Sequence, residues 1–208
     1  MEDNANKLIY VGDPMCSWCY GFGPELEKVL EKFPQLDFQL VLGGLRPNGT
    51  ETMAELGNFL REHWDHVEAR SGQEFSYDIL EKGDFIYDTE PACRGVETAR
   101  TLKPEIALDF YHAVQKAFYK ENKDTGKVET YLEIAERFEL DTDMYKKLFE
   151  AEEMKENTKA DFQLAAGMGI RGFPSMVAQK EDQYYLLSRG YRTGEDMIKD
   201  LEGLYAQS

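Results

Sequence analysis

The chain has 208 residues, a net charge of −16, 42% apolar and 12% aromatic residues, three cysteines and three histidines. A chain of this length and composition can bury a core without disulfides or metal, and its recurring aromatics argue against disorder. Excess negative charge repels phosphate backbones and anionic lipids, which predicts no nucleic acid and no membrane among its partners.

No apolar run approaches the roughly 18 residues a membrane span needs. The start, Met1-Glu2-Asp3-Asn4-Ala5-Asn6, is polar and acidic and has no secretory pattern, so a cytoplasmic protein is expected. Leu8-Ile9-Tyr10-Val11 and Phe38-Gln39-Leu40-Val41-Leu42 read as buried strands, with a helix over about 17–33 between them. Pro24 lies inside that helix and predicts a bend near Tyr20-Gly21.

Residues 51–158 differ from their flanks. They carry −12 of the net charge, against −3 before and −1 after them, and their apolar residues recur at three- and four-residue spacing. Leu56, Phe59, Leu60, Trp64 and Val67 begin a series of about five helices, which continues to Met144, Leu148 and Phe149. Pro91, Pro104, Gly126 and Leu140-Asp141-Thr142-Asp143 bound them, with Asp141 or Thr142 as a cap. The acidity reads as a solvated face.

Strands at 175–179 and 184–187 then form a hairpin around Lys180-Glu181-Asp182-Gln183, and a helix over about 194–206 follows with Thr193 as its N-cap. The order is βαβ, helices, ββα. Two units are expected: 1–50 with 159–208, and the helical insertion 51–158.

Cys16-Ser17-Trp18-Cys19 follows the first strand and opens the first helix. Three residues apart there, both sulfurs lie near one face, and unpaired N–H groups with the helix dipole favour a thiolate on Cys16. Only a thiolate attacks a disulfide, so Cys16 is the candidate nucleophile and Cys19, a turn inward, the resolving thiol. Zinc would need His63 and His66 as well, but 43 residues separate Cys19 from His63, and zinc-finger pairs stand roughly 12–15 apart. No metal and no cofactor are predicted. Trp18 and Phe22 form an apolar docking rim or pack inward, and Cys93 is either a packed small residue or an auxiliary thiol.

Gly172-Phe173-Pro174-Ser175 puts a proline at the mouth of a strand, where it removes a ladder donor. A cis Phe173–Pro174 peptide would leave the Phe173 backbone free to pair with an extended substrate; an ordinary trans turn is the alternative. Gly167-Met168-Gly169-Ile170-Arg171-Gly172 spells a dinucleotide fingerprint but follows a helix and precedes a strand, the reverse of what that site needs. Its glycines are expected to end the helix and to let the chain approach Cys16 closely.

Taken together, these features resemble the thioredoxin fold, interrupted by a helical insertion as in the DsbA-like thiol:disulfide oxidoreductase family. Asp13-Pro14-Met15-Cys16-Ser17-Trp18-Cys19, Gly43-Gly44-Leu45-Arg46 and Glu90-Pro91-Ala92-Cys93-Arg94 are similar to segments of its cytosolic, signal-less subgroup. The resemblance implies Cys16 as attacking cysteine, Cys19 as resolving cysteine and Phe173-Pro174 as the cis-proline loop. Ser17, Trp18, Phe173 and Pro174 would contact substrate. The dipeptide is Ser17-Trp18, where the family founder has Pro-His, so no histidine there stabilises a thiolate. Expected partners are protein or small-molecule disulfides and dithiols, with glutathione or thioredoxin as recycling reductant. The alternative is a glutathione-dependent kappa-type transferase or 2-hydroxychromene-2-carboxylate isomerase-like enzyme; such enzymes typically carry serine at the position of Cys16.

Overall fold

The computed structural model describes residues 6–206. The acidic start up to Ala5 lies outside them.

β1 (Asn6–Gly12) is apolar on alternate and intervening positions, and both sets are buried. Leu8 and Tyr10 point into the main core; Ile9 and Val11 point into a smaller one on the opposite face. A strand buried on both sides belongs in the middle of a sheet, and the order is β2-β1-β3-β4. β2 (Asp37–Leu42) pairs parallel with β1, with Leu8 opposite Phe38 and Val11 opposite Val41. β3 (Ser175–Lys180) pairs antiparallel with β1, and β4 (Gln183–Arg189) antiparallel with β3, with a bulge between Met176 and Val177.

α1 (Ser17–Lys32) runs unbroken through Pro24 and packs with α8 (Gly194–Tyr205) on the main-core face. Two devices fix the start of α8. Thr193 Oγ1 accepts the Asp196 N–H as expected of its cap, and the Glu25 carboxylate of α1 accepts the Gly194 N–H at 2.6 Å.

Between β2 and β3 come α2 (Met53–Ser71), α3 (Glu90–Leu102), α4 (Ala107–Tyr119), α5 (Val128–Arg137) and α6 (Thr142–Glu150). Their boundaries follow the expected signals. Thr52 and Glu55 form a capping box at α2, Pro91 opens α3, and Asp141, the residue that caps α6, accepts the Met144 N–H. α7 (Glu152–Gly167) lies beyond the five helices and crosses residue 158, so the expected boundary falls within a helix. It packs against β2 and carries Ala165 into the smaller core.

One hydrophobic cluster joins the sheet to the helices: Tyr10, Met15 and Phe22 are in the same core as Trp64, Phe110 and Tyr119. The free edge of β2 is occupied by side chains. Asp161 accepts the Leu42 N–H at 2.9 Å, and Arg100 donates to the Leu40 carbonyl at 2.8 Å and to Asp161 at 2.8 Å. Backbone groups that would template another strand are thereby satisfied.

Candidate active site

The turn that leaves β1 places the cysteines. The Asp13 carbonyl accepts the Cys16 N–H at 3.0 Å, and its carboxylate accepts the Met15 N–H at 2.8 Å, a local Asx arrangement. Cys16 becomes the N-cap of α1 with an extended backbone (φ −87°, ψ 115°), and its carbonyl receives the Tyr20 N–H. Thr125, in the turn between α4 and α5, and Tyr87, in the segment before α3, hold the cysteine turn from behind. Thr125 donates to the Met15 sulfur at 3.2 Å, and the Tyr87 hydroxyl donates to the Met15 carbonyl.

Both cysteines are free thiols. Cys16 is 5% exposed and Cys19 wholly buried, the inward step expected of one turn. The Cys16 thiol donates to the Phe173 carbonyl at 3.7 Å, so that carbonyl is engaged in the dithiol state rather than free. The Phe173–Pro174 peptide is cis, the first of the two alternatives that its sequence allowed.

A hydrogen bond with Cys19 and then burial push the Cys16 thiol up, while the Cys19 backbone N–H acts in the opposite direction. The expected thiolate preference is thus outweighed in this dithiol state. A charge on one sulfur opposes a second, so the thiols titrate as a pair. Beneath them, the Tyr10 hydroxyl is within reach of Cys19 and lies 3.4 Å from the Tyr111 hydroxyl.

Trp18, Arg70, Phe173, Gly190 and Tyr191 line a cavity of about 380 Å³ beside this pair. Trp18 is half-buried, 5.9 Å from the Tyr191 ring, and the exposed Arg70 guanidinium sits 5.2 Å over that ring. Ser17 and Pro174 are buried and do not line it. Phe22, one of the two rim candidates, is fully buried and stacks 5.8 Å from Tyr10: three residues on from Cys19 is the inward face of α1. His63 of α2 touches the rim edge-on, 6.1 Å from Trp18.

Two glycine segments divide their expected roles. Gly169 takes φ +75° after α7 and ends it, but the space around Gly167, Gly169 and Gly172 is open, so close approach to Cys16 is not their function. Close approach belongs to Gly43, where a Cβ would lie 2.2 Å from the Phe173 ring.

A residue the motif reading did not single out ties these parts together. Asp13 is wholly buried; its carboxylate also accepts the Leu45 N–H at 2.6 Å, the Thr89 hydroxyl at 2.8 Å and the Cys93 thiol at 3.5 Å. The segments around Asp13, Gly43–Arg46 and Glu90–Arg94, separate in sequence, meet on one carboxylate. Cys93 is fully buried there, and burial pushes its thiol well up, which answers its two readings with packing.

This fold, with a dithiol turn opposite a cis-proline loop, defines a thioredoxin-type protein. The family model described as Thioredoxin matches residues 9–192, and the chain belongs to that family. Its fold is that of DsbA-like oxidoreductases, as the sequence resemblance implied. A structure from Nitrosomonas europaea, provisionally described as a protein disulfide isomerase, is 33% identical, with TM-score 0.89 over 97% of this chain and 98% of that one. The cytosolic disulfide reductase DsbM from Pseudomonas aeruginosa is 22% identical, with TM-score 0.81 over 97% and 100%, and has also been solved with GSH. Among curated proteins, the ClpXP adapter protein SpxH of Bacillus subtilis is 20% identical over 92% of this chain, which spans 66% of SpxH's length. No helix among the described residues is long and apolar enough to cross a membrane.

Proposed function

We propose that this protein is a cytosolic dithiol–disulfide oxidoreductase, with Cys16 as nucleophile and Cys19 as resolving thiol. One observation carries the reading: a pair of free thiols opens α1, and the outer thiol contacts the Phe173 carbonyl beside a cavity of disulfide-accommodating size.

In the reductive direction, Cys16 loses its proton and displaces one sulfur of a substrate disulfide. A bond from Cys16 to the other sulfur forms, and the displaced sulfur leaves as a thiolate that takes up a proton. Cys19 then attacks the Cys16 sulfur, the second substrate sulfur departs as a thiol, and the protein holds the two electrons' worth of oxidation as a Cys16–Cys19 disulfide. Two molecules of glutathione, or one thioredoxin dithiol, reverse those steps and are themselves oxidised. In a glutathione-poised cytosol the pair rests reduced, so reduction or isomerisation is favoured over net oxidation. Trp18, Phe173 and Tyr191 supply apolar walls for the guest, and Pro174 holds the loop that Phe173 belongs to.

The test is Cys19→Ser with a protein or small-molecule disulfide. Covalent adducts at Cys16 that dithiothreitol releases are expected. Glutathione conjugation or isomerisation that survives the change, with no adduct, would favour the kappa-type alternative instead.

A further inference from the structure

The Asp13 carboxylate has a hydrogen-bond set that favours its charged form against burial. Oδ1 receives the Met15 N–H; Oδ2 receives the Leu45 N–H, the Thr89 O–H and the Cys93 S–H. Every partner is a donor. Thr89 Oγ1 itself accepts the Arg46 N–H at 3.0 Å, which directs the threonine proton at Asp13. Burial pushes this carboxyl up, and the four donated hydrogen bonds act the other way, favouring the charged form. No cation is at hand: Arg46, next to Leu45, pairs with Glu51. An unpaired anion is thus enclosed three residues before Cys16, in a region of low polarity where charges act strongly.

We propose that Asp13 is a positioning residue for Cys16, whose enclosed negative charge both holds the reactive turn and opposes thiolate formation on that sulfur. The proposal rests on the exchange chemistry above, with Cys16 as nucleophile. Other titratable groups facing Cys16 are Cys19 on α1, Tyr10 on β1, Tyr119 on α4 and Tyr87 in the segment before α3; Tyr111 faces Asp13 from α4. Burial pushes each of these tyrosines up, so they are neutral where Asp13 is charged. The Asp13 charge is among the causes that raise Cys16. The three sequence segments that meet at Asp13 are therefore joined by a group that also tunes the sulfur they surround.

The experiment is the pH profile of Cys16 alkylation by iodoacetamide, with the modified residue located by mass spectrometry, in wild type and Asp13→Asn. The midpoint in the variant is expected to fall below that of wild type, since the Asp13 charge is one of the causes that raise the thiol, after the Cys19 hydrogen bond, burial and the Cys19 charge. A folded variant with an unchanged or raised midpoint overturns the proposal, because a merely structural carboxylate would affect stability alone. Should Asp13→Asn not fold, wild type carries the test: the Asp13 carboxyl ¹³C resonance should inflect at the pH where the thiols titrate, and lose that inflection in Cys16→Ser. A resonance with no such inflection overturns it equally. Failure of the oxidoreductase reading has a separate signature: no Cys16–Cys19 disulfide forms in wild type equilibrated with oxidised glutathione.

Discussion

Gly43→Ala tests whether the cis-proline loop must sit where it does. Gly43 has an ordinary backbone, so the added methyl meets space, not strain: Phe173 Cε1, Cζ and Cδ1 would lie 2.2, 2.4 and 2.7 Å from the new carbon. Carbon pairs rest at about 3.5 Å or more, so the ring must retreat by roughly 1.3 Å or the β2 end must yield. Overpacking of this kind costs about 1–3 kcal/mol, and each kcal/mol lowers the melting temperature of a 150–250-residue protein by about 2–4 °C. The retreating ring is a wall of the cavity and belongs to the residue whose carbonyl meets Cys16. Two readouts should therefore change together: calorimetric melting drops by several degrees, and the rate of Cys16 mixed-disulfide formation falls. Wild-type melting with a wild-type rate would refute the close contact; lowered melting with an unchanged rate would refute its coupling to the sulfur.

The edge of β2 should be equally sensitive, since Asp161→Ala orphans the Leu42 N–H and removes one of the two carboxylates, with Glu97, that pair with the part-buried Arg100; a loss of about 1–3 kcal/mol in urea unfolding is expected, and a loss below 0.5 kcal/mol would count against edge capping. At His112, burial pulls the imidazole below its ordinary value, with Glu27 and Asp109 opposing. The unfolded chain then binds the proton more readily, so this stability is present above the ordinary histidine value and is lost as pH falls through the lowered one. His112→Gln should lose less stability than wild type between pH 7.5 and 5, His63 supplying a share that remains; parallel pH curves for the two proteins would contradict this.

The cysteine turn and the strands were legible because their signals are contiguous: β1 is a run of apolar residues, and the cysteines, Trp18 and the loop before them occupy one short stretch. The caps at Asp141 and Thr193 were legible for the same reason. Asp13 was not, because its partners Leu45, Thr89 and Cys93 are far away in sequence and two of them bond through atoms that carry no motif. Phe22 shows a different limit: an aromatic near the sulfurs reads alike whether it faces out or in, and only the helix's rotation decides. α7 buries little besides Met154, Thr158 and Ala165, which leaves weak periodicity and explains why the five-helix reading stops at Phe149.

That the sheet and the helices between its halves are sealed by a single oily interior has a mechanical corollary. Met15 is held by Thr125, and Tyr10 leans on Tyr111, so the scaffold under the sulfurs is borrowed from the intervening chain. Excising that chain would not liberate a miniature redox module; it would strip the floor from beneath it.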